Sequence, residues 1–302
     1  NMLHGTRHLN ENDVQVGSCL NRWYDKLQLI VCRDGSAGVN FEHSAIDGHT
    51  ALRLVSDIFA ETVITFAETI TASIHGVNHI HHVTRANVKR AATAGSKLDV
   101  LPKKIVFSLS PHVRERIYFA ETALCDEISS ADTRVLQFAD YGKLLIVANK
   151  LSPDSVVQMT IHLAYYELYG KFVCGYEPVL TKAYYHGRTE AMRSATPQAK
   201  NLCQVWHDCK STDAQKLDAL RVATQEHSRL VKESAKGLGV DRHLYALLCM
   251  AKRLGKPVPA FFESQGWKCL NHTILSTSNC GNPALKMFGF GPVVPDGFGV
   301  GY

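Results

Sequence analysis

No run of apolar residues in this 302-residue chain approaches the roughly 18 that a membrane-crossing helix requires; the longest, such as the stretch ending at Cys32, are strand-sized. There is no C-x-x-C pair among the nine cysteines, which are odd in number and scattered from Cys19 to Cys280. Neither a disulfide framework nor a zinc ribbon is therefore indicated, and a reducing compartment is expected. Internal repeats and low-complexity tracts are missing. Charge of one sign is scarce: 33 Lys plus Arg against 28 Asp plus Glu leave a net +5 spread along the chain, which gives little reason to expect nucleic acid but leaves a local phosphate site open. The chain also lacks an initial methionine and a signal segment, beginning at Asn1 and stopping at Tyr302. We expect a fragment of a longer protein, with any targeting signal outside it. What is present is a globular composition, 45% hydrophobic and 20% charged, on a chain long enough for two cores.

Two short β-favouring runs, Leu27 to Cys32 and Gly38 to His43, flank Asp34-Gly35-Ser36-Ala37-Gly38 and read as an antiparallel hairpin. From Asp47 to about Thr71 the apolar residues recur at helical spacing. The polar, basic, His-rich stretch that follows, about 72–96, reads as a surface insertion, and strands are expected at Lys104 to Leu109 and Arg134 to Ala139. Ser110-Pro111 and Ser152-Pro153-Asp154 are helix starts, with Ser as N-cap and Pro where its missing N–H costs nothing. Further helices are expected at about Pro197 to Asp208, Thr212 to Lys236 and Asp241 to Arg253, and strand with glycine-rich turns from His272. Strands separated by long helices, with one hairpin, define an α/β architecture with a mixed sheet.

The local feature most suggestive of chemistry is Phe41-Glu42-His43-Ser44-Ala45-Ile46-Asp47-Gly48, a histidine at the end of an apolar strand before a helix. Strand ends carry reactive groups in open α/β sheets, and a neutral imidazole suits general-base work, although a lone histidine also serves as a core or capping residue. Ser276-Thr277-Ser278 places three hydroxyls at a strand end without a hydrolase elbow; such hydroxyls either donate to an oxyanion or satisfy their own turn. Gly289, Gly291, Gly297, Gly299 and Gly301 do not form a dinucleotide fingerprint. His75, His79, His81 and His82 have no carboxylate or cysteine nearby, and no metal is assigned to them.

Taken together, Asn21-Arg22-Trp23-Tyr24-Asp25-Lys26, Glu42-His43 with Asp47-Gly48, Leu151-Ser152-Pro153-Asp154, Gly187-Arg188-Thr189-Glu190 with Arg193-Ser194, Ser276-Thr277-Ser278 and Gly291-Pro292-Val293-Val294-Pro295-Asp296-Gly297 fall in the order and approximate spacing of one family. The chain resembles the choline/carnitine acyltransferases, most closely the C-terminal half of those members that move acetyl groups to carnitine, without the N-terminal half or the last strand and helices of their fold. The resemblance implies two chloramphenicol-acetyltransferase-like domains, mixed sheets flanked by helices, with an active-site tunnel between them. Residues 1–109 would end the first domain and 110–302 form most of the second.

The resemblance also implies a reaction: transfer of a short acyl group between coenzyme A and the hydroxyl of carnitine, with His43 as general base, Ser278 stabilising the oxyanion and no covalent enzyme intermediate. Tyr176, Thr189 and Arg242 match groups that hold the carnitine carboxylate, and Phe290 matches an aromatic near the trimethylammonium group. Without the family, Arg242 reads as a helix-start cation paired with Asp241 or Glu226. Lys143 and Asp154 match coenzyme A contacts; Val147 stands where a second phosphate-facing lysine is common, and Lys150 compensates. Phe288 falls where the acyl pocket begins, a position that tends to be bulky in short-chain members. The implied partners are carnitine and acetyl-coenzyme A as a cosubstrate, with no permanently bound cofactor, in a monomer of the mitochondrion or peroxisome. A choline- or medium-chain-specific relative, a non-catalytic acyltransferase-like module and a nucleophilic hydrolase remain alternatives.

Overall fold

The structure, a computed structural model, describes residues 5–6, 8–12, 16–75, 103 and 105–302. The expected His-rich insertion lies outside the described residues. The chain divides into two compact units, one formed by Asn1–Asp132 with Asn282–Lys286, the other by Thr133–Gly281 with Met287–Tyr302.

The first unit holds the expected hairpin: β1 (Gln28–Val31) and β2 (Ala37–Asn40) pair antiparallel, with Gln28 opposite Asn40 and Val31 opposite Ala37. The turn between them is closed by Asp34, whose Oδ1 accepts from the Ser36 amide at 3.0 Å, and by Gly35, whose φ of +84° favours a residue without Cβ. The strand ends at Asn40, three residues short of expectation. A 28-residue helix, α1 (Gly48–His75), follows, and then α2 (Pro111–Ser130), opened as expected by the Ser110 hydroxyl accepting from the Val113 amide.

Two expected strands are not strands. Residues 105–109 and 134–139 have no ladder partner among the described residues, and Ile105, Val106, Phe107, Val135, Leu136 and Phe138 are exposed. A β-favouring composition describes a residue that suits a pleated, half-buried surface; the strand itself forms only where a neighbouring edge supplies hydrogen bonds.

The second unit is a mixed four-stranded sheet in the order β4 (Thr189–Met192), β3 (Gly175–Leu180), β5 (Leu275–Ser278), β6 (Phe298–Gly301). β3 and β4 are antiparallel, whereas β3 with β5 and β5 with β6 are parallel. The mixed α/β class expected from the sequence is therefore the observed one. Its helices are α3 (Lys143–Ala148), α4 (Pro153–Tyr169), α5 (Pro197–His207), α6 (Asp213–Ala235), α7 (Asp241–Arg253) and α8 (Gln265–Asn271). Start and stop signals act locally: Ser152 caps α4, Gly170 ends it at φ +62°, and Thr212 with Gln215 forms a reciprocal capping box on α6. Met159, Ala199, Leu202, Ala219 and Ala223 interdigitate where α4, α5 and α6 meet, and α6 packs on β3 and β4.

One face of β3, carrying Gly175, Glu177 and Val179, is buried beneath these helices. A Cβ at Gly175 would lie 2.3 Å from Ser194 Oγ and 3.1 Å from the His162 ring, so glycine is what lets α4 bring His162 onto the sheet. His162 Nε2 and Ser194 Oγ are 3.0 Å apart, both groups fully buried. Burial penalises the charged imidazolium and pushes the His162 pKa down to about 4, while the unfolded chain keeps the ordinary value near 6.5. The unfolded state therefore binds the extra proton first. The stabilisation is complete above about pH 6.5 and drains away as pH falls toward 4, at up to about 1.4 kcal/mol per pH unit. Replacing His162 by Gln should flatten this dependence; urea midpoints measured from pH 7 to pH 4 check it, and parallel pH profiles for both proteins would refute it.

Candidate functional site

In the first unit, His43 lies in the bend between β2 and α1. The bend is held by Glu42, whose carboxylate accepts from the Ser44 amide at 2.8 Å and the Ser44 hydroxyl at 2.5 Å. These hydrogen bonds hold the Glu42 carboxyl below the usual range, so it is charged at neutral pH. The His43 side chain is 67% exposed and packs against Phe41 at a centroid distance of 6.0 Å. Its Nδ1 stands 3.9 Å from Oδ1 of the buried Asp47, one helical turn ahead. That separation is too long for a hydrogen bond.

In the second unit Ser278, Tyr176, Thr189, Arg242, Phe288 and Phe290 lie on or beside the mixed sheet. Ser278 is half-buried at the carboxyl end of β5, opposite Gly301 of β6. A Cβ on Gly301 would stand 2.7 Å from the Phe288 carbonyl oxygen and 2.8 Å from its ring, so the returning segment lies directly against β6 at Gly301. Phe290 follows at a ring separation of 5.9 Å from Phe288, both rings being half-buried.

Tyr176 projects from the β3 face opposite to Glu177. Across the β3–β4 pair stands Arg193, its guanidinium carbon 5.9 Å from the centre of the Tyr176 ring, a cation–π contact. Arg193 also donates to Asp241 Oδ1 at 2.6 and 2.9 Å and to Thr273 Oγ1 at 3.1 Å. Asp241 thus belongs to Arg193, and Glu226 belongs to Arg229, so neither is the partner of Arg242 that the sequence alone suggested. Arg242 instead donates from Nε to the Thr189 carbonyl at 3.3 Å, and its amide donates to buried Glu190 at 3.1 Å. The structure therefore brings Thr189 and Arg242 together, with the guanidinium exposed. Tyr176 lies toward the other end of β3 and is linked to them through Arg193 and Asp241. Arg193 appeared in the sequence only as part of a motif; its position opposite Tyr176 depends on pairing that no local pattern reveals.

Lys143 opens α3 and is exposed, as is Lys150, which holds the left-handed conformation at φ +60°. Asp154 sits in the first turn of α4, accepting from Tyr302 Oη at 2.7 Å and Asn279 Nδ2 at 3.3 Å. Beneath it runs a buried chain that sequence reading missed: His227 of α6 links Ser155 Oγ, 2.8 Å from Nδ1, to Glu177 Oε2, 2.7 Å from Nε2. Burial raises the Glu177 pKa, the hydrogen bond to His227 opposes the rise, and neighbouring Asp154 adds to it. Asp154, Glu177 and His227 offer ligand atoms within 4.8 Å of one another and are the described residues with the chemistry to hold a metal ion. Their hydrogen bonds to one another, to Ser155 and to Tyr302 account for the cluster without one.

The whole chain, residues 1–302, matches the choline/carnitine O-acyltransferase family, and it belongs to that family. It is 43% identical over 295 residues to a Saccharomyces cerevisiae protein provisionally named mitochondrial carnitine O-acetyltransferase, covering 96% of this chain and 43% of the relative. It is 35% identical over 289 residues to the mitochondrial carnitine O-palmitoyltransferase 2 of Xenopus tropicalis, covering 95% and 41%. A second carnitine O-acetyltransferase of the same yeast is 32% identical over 324 residues, covering all of this chain and 35% of the relative. The chain spans less than half the length of these curated relatives.

Arg193 and Asp241 expose only 18% and 11% of their side chains, so removing one charge strands the other. Arg193→Ala should lower stability by about 3 kcal/mol, and Arg193→Ala combined with Asp241→Ala should recover part of that loss. Chemical denaturation of the two single variants and the double variant measures it; additive losses would contradict the pairing.

Proposed function

We propose that the protein transfers a short acyl group between coenzyme A and the hydroxyl of carnitine. The observation that carries this reading is the Arg242–Thr189 contact: an exposed guanidinium held by a strand carbonyl on the sheet that also bears Tyr176 and Ser278. A carboxylate-bearing alcohol has a use for that cation, and choline, which lacks the carboxylate, does not. Family membership supplies the reaction class.

The chemistry follows from side-chain type. His43 Nε2 or Nδ1 removes the proton of the carnitine hydroxyl, and the alkoxide oxygen attacks the thioester carbonyl. The Ser278 hydroxyl donates to the oxyanion of the tetrahedral intermediate, which collapses by breaking the C–S bond. The departing thiolate takes the proton from the His43 imidazolium, so the base is restored each cycle without an acyl-enzyme. Tyr176, Thr189 and Arg242 hold the carnitine carboxylate and Phe290 faces its trimethylammonium group, while Lys143, Lys150 and Asp154 contact coenzyme A. No permanently bound cofactor enters this scheme. The relatives' names support a mitochondrial setting, with the peroxisome as the other compartment consistent with the resemblance.

Relatives named for acetyl and for palmitoyl transfer both match this chain, so the acyl length rests on Phe288. Its half-buried ring lies against the Gly301 backbone, which supports reading it as the group that fills the space a longer chain would need.

Thiol release from acetyl-coenzyme A by the intact protein should require carnitine and be weak with choline. His43→Ala should lower that rate by about two to four orders of magnitude with folding retained. Release that ignores carnitine would favour a hydrolase, and an active His43→Ala would remove the base. Phe288→Gly should raise activity on octanoyl-coenzyme A relative to acetyl-coenzyme A, since each added methylene then gains about 0.8 kcal/mol by burial. A chain-length profile measured with Tm decides it: lower stability with an unchanged profile would make Phe288 a core residue only.

A further inference from the structure

Gln158 is a fully buried residue of α4 to which no role has been given above, and its bonding is lopsided. Its Nε2 donates to Thr277 Oγ1 at 2.8 Å and to Tyr302 Oη at 2.9 Å, using both amide protons. Its Oε1 is buried without a hydrogen-bond partner. That carbonyl carries the penalty of a buried acceptor left unpaired, which the two Nε2 bonds offset.

The direction of the bonds shows what the arrangement achieves. Each hydroxyl that accepts from Gln158 spends its own proton on a second acceptor. Thr277 donates to the Tyr176 carbonyl at 2.8 Å, and Tyr302 donates to Asp154 Oδ1 at 2.7 Å. The accepting ends set the polarity of both chains, and one amide anchors their other ends, Gln158 to Thr277 to Tyr176 and Gln158 to Tyr302 to Asp154. The first ends at the residue assigned to carnitine and passes through the neighbour of Ser278; the second ends at a residue assigned to coenzyme A.

We propose that Gln158 is a positioning residue that sets the carnitine-side strand pair and the coenzyme-side carboxylate from a single side chain. This rests on the acyltransfer reading above. Without Gln158, the Thr277 and Tyr302 hydroxyls keep their acceptors, the Tyr176 carbonyl and Asp154 Oδ1, but lose the donor that tethers both to α4, so both are held less tightly beside Ser278 and Asp154 while the core keeps its volume.

The test uses the intact protein with acetyl-coenzyme A and carnitine, measuring kcat, both KM values and Tm for wild type, Gln158→Met, Thr277→Val, their combination and Tyr302→Phe. Gln158→Met should keep Tm within about 3 °C of wild type yet lose about tenfold in kcat/KM for carnitine, less than an oxyanion donor itself is worth. Thr277→Val should lose a similar factor, and the double variant no more than the larger single loss, because both act through one contact. Tyr302→Phe should raise KM for acetyl-coenzyme A more than KM for carnitine. If Gln158→Met does not fold, Thr277→Val and Tyr302→Phe still decide the matter by which substrate each affects. Unchanged kinetics in Gln158→Met, losses that multiply in the double variant, or effects equal on both substrates would overturn the proposal. A wild type without carnitine-dependent turnover overturns the acyltransfer reading and this inference with it, whereas an active wild type beside unaffected variants overturns this inference alone.

Discussion

The hydrogen-bonded ladder between β3 and β5 is short, with Gly175 opposite Leu275 and Tyr176 opposite Ser276. Past that point the two strands are held by a side chain: the Thr277 hydroxyl, fully buried, reaches across to the Tyr176 carbonyl while accepting from α4. A buried hydrogen bond of this kind is costly to break, because neither oxygen has water to turn to. It therefore determines how the sheet meets its helices. Ser278 is the next residue along β5, and Gly301, opposite Ser278, receives the segment that carries Phe288 and Phe290. On the same buried side, Glu177 and His227 tie β3 to α6, and Ser155 ties α6 back to α4.

What could be read from the sequence was whatever is decided within a few residues. Ser152-Pro153-Asp154 and Thr212 with Gln215 specify helix starts because capping bonds span three positions, and the observed helices begin there. The Asp34-Gly35 turn specifies the hairpin in the same way. Strands decided by distant partners were less legible. Lys104 to Leu109 and Arg134 to Ala139 have the composition of strands and no partner among the described residues, whereas β3 has a partner on each side despite Pro178 in its middle. That proline is accommodated because it lies beyond the two-residue ladder to β5 and faces Ala191 on the β4 side. The candidate site divides along the same line. His43 and Ser278 could be named from motifs and Arg242 from the family resemblance, but the Arg193 guanidinium over Tyr176 and the buried Ser155–His227–Glu177 chain join residues 17 to 72 positions apart, and nothing in their neighbourhoods announces it.

The two units also differ in how much they bury. Met159, Val179, Met192, Leu202 and Leu275 belong to the second, as do both deeply buried histidines, while the first unit's buried apolar residues are Cys19, Ile30, Ala51 and Cys125 among those described. A two-stranded hairpin has little stability of its own. The surroundings of Ser278, Tyr176 and Arg242 are accordingly the more rigidly supported, and His43 is placed mainly by the local bonds of its bend.

The glycines of β6 bear on how such a protein can diversify. At Gly299 a single added carbon would lie 2.6 Å from the backbone oxygens of Phe290 and Gly291, and at Gly301 2.7 Å from that of Phe288. Main chain, unlike a flexible side chain, has no rotamer by which to retreat. Inherited variation on this side of Ser278 is thus closed to the strand itself and channelled into the side chains at 288 and 290, so descendants of this sequence would change what they accept by altering those two rings while β6 stays bare.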